Sequence, residues 1–216
     1  MTWKLKPNLI RLIPEKRLHH CAVPIVAITG GIGSGKSTVM EFLRMAKLPT
    51  ICADTLVKYA YEQNEVLDFL KENCPQVLTA DGVNFPELRQ LAFSQRHLLA
   101  QLESIIYTKL PTLFTETQKK KFPNDQVLVY EVPVLFEKNL QDQVDLIVTV
   151  LAPEHLQKKR IQVRDESSTE VIQSILDKQE DLQTKAKRSH VVIPNDQDLH
   201  ALKIQVEKFI AQTFTE

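Results

Sequence analysis

Apolar residues along this chain follow two rhythms. Short, mostly apolar runs, IVAIT at 25–29, VLVYEV at 127–132 and LIVTVL at 146–151, are rich in β-branched residues and too short for buried helices. Such runs predict strands covered on both faces, the habit of a parallel sheet. Elsewhere apolar residues recur three or four apart, as at Val39, Phe42, Leu43 and Ala46, or along DLHALKIQVEKFIAQTF near the end. That spacing predicts amphipathic helices.

The sequence of elements follows from these rhythms and from the breakers between them. A strand over Ile25–Thr29 leads through glycines into a helix over STVMEFLRMAKL, which Pro49 ends. TIC at 50–52 is a brief second strand. From Leu56 to about Phe122 the chain reads mostly helical, with TADGVNF as a turn or hairpin. Strands follow at Val127–Val132 and Leu146–Leu151. Two charged helices then meet near Asp165 to Ser168, HVVIPN is a fifth strand, and an amphipathic helix closes the chain. Strands alternating with helices predict an α/β fold, a five-stranded parallel sheet flanked by helices. Residues 1–23 are a basic extension and 24–216 a single domain.

Composition removes several classes of function. The 216 residues carry 27 basic and 27 acidic side chains, so no overall field draws the chain to nucleic acid or an anionic membrane. No apolar run nears the roughly 18 residues of a membrane span, and the opening segment lacks the apolar stretch of a secretory signal. Cys21, Cys52 and Cys74 are odd in number and lack metal spacing, which fits a reducing compartment. The reading is a cytoplasmic protein with no nucleic-acid or membrane partner, a monomer or weak homo-oligomer.

Glycine changes the picture. Four of the five glycines lie within Gly30-Gly31-Ile32-Gly33-Ser34-Gly35-Lys36-Ser37, the pattern G-x-x-x-x-G-K-[ST] between a strand and a helix. Wrapping a polyphosphate in backbone N–H groups needs positions without a Cβ and with positive φ. The helix that follows directs its N-terminal dipole and free N–H groups at the same anion. Lys36 supplies a charge for the distal phosphates, Ser37 a hydroxyl for Mg²⁺, and Thr38 a further phosphate contact. No N-K-x-D base-reading motif is present.

Carboxylates and arginines supply candidate chemistry. Asp54 follows the second strand, where a carboxylate takes the proton of an attacking hydroxyl or caps the next helix. Glu131 and Glu137 either hold Mg²⁺ or its waters, or serve in caps and salt bridges. Arg160 and Arg164, one helical turn apart, either face a transferring phosphoryl group or form a solvated stripe.

Together these residues resemble the dephospho-coenzyme A kinase family, in the segments ITGGIGSGKSTV, ADTLV and EVPVLFE and in the spacing of Gln157, Arg160, Arg164-Asp165, Gln179 and Asn195. The resemblance spans nearly the whole chain from Ile25. It implies a P-loop kinase fold with a helical substrate-binding region at 59–126 and a lid at 156–187. It implies transfer of the ATP γ-phosphate, with Mg²⁺, to the ribose 3′-hydroxyl of dephospho-coenzyme A. Asp54 would be the base, with Lys36 and the loop residues Gly31, Ile32, Gly33, Ser34, Gly35, Ser37 and Thr38 on the phosphates. Arg160 and Arg164 would bind ATP from the lid, Asn195 would lie by the adenine, and Tyr107 and Glu137 would meet the acceptor. The chain departs from the family at Cys52, near Pro86, at Tyr107-Thr108 and at Ser189-His190, mostly on the acceptor side. A kinase for another nucleoside- or pantetheine-like acceptor, or an ATP-binding protein with little transfer, stays open.

Overall fold

The short apolar runs form strands in the computed structural model, which describes residues 2–165, 173 and 179–216. Five parallel strands make the main sheet: β2 (Ile25–Gly30), β3 (Thr50–Cys52), β6 (Leu128–Glu131), β7 (Leu146–Leu151) and β8 (Val191–Pro194). Their spatial order is β3-β6-β2-β7-β8. Helix α1 (Lys36–Met45) carries the chain from β2 past one strand position to β3, and β6 fills the gap. Strand order therefore reverses at β2, whose carboxyl end is the crevice where open parallel sheets take ligands.

The chain divides into two compact units, one comprising Met1–Cys52 and Phe122–Glu216, the other Ala53–Lys121. In the first, Val26 and Ile28 pack with Val39, Met40 and Leu43 of α1. The last helix, α8 (Leu199–Thr213), adds Leu202, Val206 and Phe209 to the same cluster. Each such side chain contributes about 1.5–3 kcal/mol when fully buried, so the three-and-four spacing is what holds these helices to the sheet.

The charged helix expected first after β7 is α6 (Glu154–Asp165). The proposed meeting point at Asp165 to Ser168 lies largely outside the described residues. Leu182–Lys187 forms a separate short helix, α7, because Asp181 caps it, its carboxylate accepting from the Thr184 N–H and hydroxyl.

Residues 2–23 are tied to the sheet. Strand β1 (Lys4–Leu5) pairs antiparallel with β9 (Phe214–Thr215). The Trp3 indole donates to the Ala46 carbonyl at 3.0 Å, and Leu5 and Phe214 join the core. At the amino ends of β2 and β7, Arg17 reaches Asp145 at 2.8 Å, both nearly fully buried. Asp145 also accepts from the backbone N–H groups of Arg11, Leu12 and Ile25. Burial by itself would raise this carboxyl, but Arg17 and the three N–H groups outweigh it and hold it below the ordinary range.

The second unit holds α2 (Ala53–Ala60), α3 (Asn64–Asn73), the hairpin β4 (Leu78–Thr79) and β5 (Gly82–Val83), α4 (Phe85–Ser94) and α5 (Arg96–Lys121). Leu56, Val66, Leu70, Leu102, Ile106 and Phe114 are buried in it. Its bounds fall a few residues before the 59–126 expected, since the chain enters the first helix directly from β3.

Candidate active site

Gly30 ends the central strand and Gly35 caps α1 at φ 97°, a conformation that side chains resist. The backbone N–H groups of Gly33, Gly35 and Ser37 meet no protein acceptor among the described residues. They lie at the amino end of α1, where the helix dipole adds positive potential. The Lys36 ammonium donates to the carbonyls of Gly30 and Gly31, each at 3.0 Å. Ser37 is exposed on the first turn, Thr38 is half-buried, and the Ser34 hydroxyl is buried without a hydrogen-bond partner.

The far side of the loop is braced by the protein. A Cβ on Gly35 would stand 2.0 Å from Asn195 Nδ2, and one on Gly33 2.7 Å from the Gln157 carbonyl oxygen. The sequence assigned these glycines to phosphate access; close packing against α6 and the end of β8 requires them as well. Asn195, buried just past β8, donates through Nδ2 to the Ser34 carbonyl at 2.7 Å. Arg160 donates to the Gly33 and Ser34 carbonyls at 3.3 and 3.4 Å and to both oxygens of Asn195. Its guanidinium therefore grips the loop's backbone, a third role beside the two read from the sequence. The Arg164 side chain lies outside the described residues.

Glu131 ends β6 in register with Cys52 of β3 and Ile28 of β2. It is 8% exposed, and its carboxylate makes no bond to another described residue. With the Ser37 hydroxyl it is the donor type that suits Mg²⁺, a hard cation that prefers oxygen ligands and water. Glu137, six residues on, is placed differently. Its Oε1 accepts from Lys185, a wholly buried lysine, at 2.6 Å, and from the Glu180 N–H at 3.2 Å. The salt-bridge alternative describes Oε1 of Glu137, while its Oε2 is buried without a hydrogen-bond partner.

In the helical unit, Asp54 is exposed in the first turn of α2. The helix begins at Ala53, so Asp54 is inside it and is not the capping residue. Tyr107 is 42% exposed on α5. Burial raises the Tyr61 phenol, and the nearby Glu103, Cys74 and Tyr107 add to the shift.

Two residues of the site gave no strong local signal. Gln179 accepts the Ile32 N–H through Oε1 at 2.9 Å; the resemblance named the residue, but an isolated glutamine does not announce this bond. Lys185 was legible only as a lysine three residues after the buried Leu182, on the inward face of α7.

A family model for dephospho-CoA kinase matches residues 24–201. The chain belongs to the dephospho-CoA kinase family. A dephospho-CoA kinase from Fusobacterium nucleatum is 30% identical over 190 residues, 87% of this chain and 97% of the relative. One from Bartonella quintana is 29% identical over 189 residues, 86% and 96% of the two chains. The crystal structure of TT1252 from Thermus thermophilus superposes with a TM-score of 0.76 at 28% identity, covering 88% of this chain and 97% of that one. Residues 2–23, with Arg17, precede the segment that matches the dephospho-CoA kinase family. Among the described residues, no helix is long and apolar enough to cross a membrane.

Proposed function

We propose that the chain transfers the γ-phosphoryl group of ATP to the ribose 3′-hydroxyl of dephospho-CoA, giving coenzyme A and ADP. The observation that carries this reading is the set of unpartnered N–H groups of Gly33, Gly35 and Ser37 at the amino end of α1, beside Lys36. Preformed donors cost no reorganisation when charge develops on a phosphoryl group, which is the main demand of this chemistry.

The assignments follow the geometry and the family. The free N–H groups of Gly33, Gly35 and Ser37 receive the phosphates, and Lys36 gives up the Gly30 carbonyl for the distal phosphate oxygens while it keeps that of Gly31. Bound Mg²⁺ would neutralise phosphate charge; Ser37 would hold it and Glu131 would accept from its waters. Arg160 and Asn195 keep the loop in shape, and the cleft of about 390 Å³ lined by Leu156, Lys159, Arg160 and Val163 receives the adenine. Arg164 contacts phosphate. Asp54 takes the proton of the 3′-hydroxyl as its oxygen forms the new bond to phosphorus and the bond to ADP breaks. Tyr107 is an acceptor contact on the helical unit.

The test is ADP release with ATP and Mg²⁺, with and without dephospho-CoA, run beside Asp54→Asn. The expected result is acceptor-dependent release that falls about a hundredfold or more in the mutant, with ATP-analogue affinity kept. Release that ignores dephospho-CoA would overturn the substrate, and a mutant near the parental rate would remove Asp54 as the base.

A further inference from the structure

The peptide unit between Gly31 and Ile32 is held at both ends. Its carbonyl accepts from the Lys36 ammonium at 3.0 Å and from the Ser34 N–H at 3.2 Å, and its N–H donates to Gln179 Oε1 at 2.9 Å. A trans peptide points its C=O and N–H in opposite directions, so fixing the N–H on Gln179 aims the oxygen at Lys36. Glycine at position 31 leaves the flanking torsions free to turn this plane over. Without Gln179, only the turn bond from the Ser34 N–H would hold the carbonyl towards the ammonium.

Gln179 is itself anchored. The next residue, Glu180, donates its N–H to Glu137 Oε1, which also takes the buried Lys185 ammonium. Lys185 donates further to the Pro133 carbonyl at 3.3 Å. That same carbonyl accepts from the Thr29 hydroxyl at 3.3 Å, on the residue preceding Gly30. Asp181 caps α7, and Leu182 is buried. A charge buried this deeply is a poor source of stability, because desolvation offsets the pairing energy. Its position on the loop's root and on the Gln179 segment is better accounted for by what it orients.

We propose that Gln179 is a positioning residue for phosphoryl transfer: it sets the Gly31–Ile32 peptide so that its carbonyl places the Lys36 ammonium, and the Glu137–Lys185 pair holds Gln179 in place. The inference rests on the reading of the loop as the ATP phosphate site.

The experiment compares Gln179→Met, which keeps length and loses the acceptor, with Gln179→Glu, which keeps an acceptor oxygen. Turnover, ADP affinity by titration calorimetry and thermal midpoint are measured for both. Gln179→Met is expected to lower kcat about tenfold, with ADP affinity within about threefold and an unchanged midpoint, the size of one weakened charge interaction in the transition state. Gln179→Glu is expected to recover kcat to within about threefold of the parent, its added charge raising KM for ATP. Parental kcat in Gln179→Met, or no recovery in Gln179→Glu, overturns the inference. Lys36→Ala in the same series separates the two readings. If it keeps both ADP affinity and turnover, the loop assignment itself fails; if it loses them while Gln179→Met is parental, only the positioning role fails.

Discussion

The two ends of β2 and β7 are built to different plans. At the carboxyl ends, the loop from Gly30 to Ser37 leaves backbone donors unpartnered, and side chains from distant elements, Arg160, Asn195 and Gln179, grip it from outside. At the amino ends, Asp145 leaves nothing open: Arg17 and three backbone N–H groups converge on one carboxylate. The first arrangement keeps binding capacity for a ligand and fixes its shape. The second consumes all of its capacity internally and ties residues 11–17 to the sheet. Substitutions at the first should change chemistry, and substitutions at the second should change stability.

The largest effect is expected from Lys36→Ala. Removing one preorganised cation from the phosphate site should lower turnover on the order of 10²–10³-fold, the range seen when a single transition-state donor is lost, and weaken nucleotide binding with it. The thermal midpoint should move far less than for any change at Asp145. A large fall in midpoint would show that the loop is also a structural keystone and would blur the contrast between the two ends.

How plainly each end can be read in the sequence follows the same division. The loop is contiguous, so eight neighbouring residues declared its glycines, its lysine and its Ser37 hydroxyl, and the strand and helix that frame it fell where their apolar spacing put them. Strand β7 was legible to the residue because it is a short, mostly apolar run. The braces Arg160, Gln179 and Asn195 were named only through the resemblance, and their grip on the loop was not legible, since they reach it across more than a hundred positions and a lone polar side chain carries no period. Arg160 illustrates this: its spacing from Arg164 was visible, but not that it would donate to the carbonyls of Gly33 and Ser34. The amino-end anchor was hidden for a similar reason. Arg17 and Asp145 are 128 residues apart, and strands of two residues, like β1 and β9, are too short to show alternation. Tyr107 was named for the acceptor only through the resemblance, because it lies on a helix whose apolar spacing serves the core of its own unit.

Asp145→Asn addresses the other end. It leaves the Arg17 guanidinium buried opposite a neutral amide, and loss of one partner from a buried pair typically costs about 3–5 kcal/mol. Chemical denaturation should read that loss, while kcat per folded molecule should stay within about twofold of the parent. Turnover falling in step with stability would mean that the two ends are energetically coupled. The usual remedy of replacing both charges with apolar residues should fail here: it would orphan the N–H groups of Arg11, Leu12 and Ile25, a penalty that a simple ion pair does not carry.

The smallest expected effect separates the ends by pH. Burial, helped by the neighbouring His20, lowers His19 to about 4, and burial with the nearby Arg11 lowers His190. Neutral His190 accepts the Ile147 N–H at Nδ1, at 2.8 Å, and protonation removes that acceptor. In the unfolded chain both rings bind a proton near their ordinary value of about 6.5. The stability they contribute is therefore complete above about pH 6.5 and is lost as pH falls towards the folded values, down to about 4 for His19. Asp145, held below the carboxylate range, acts in the same direction but at lower pH, because its contribution is complete above the unfolded value of about 3.9. The expected result is an unfolding free energy that declines between pH 6.5 and 4.5 and flattens in His19→Asn and His190→Asn. Asparagine tolerates the positive φ of 56° at position 19, and at position 190 it offers Oδ1 to the Ile147 N–H without titrating. Because both rings lie on elements at the amino ends of the strands, ADP affinity in the two variants should keep the parental pH profile. An altered profile would mean that protonation at the anchored end reaches the phosphate loop.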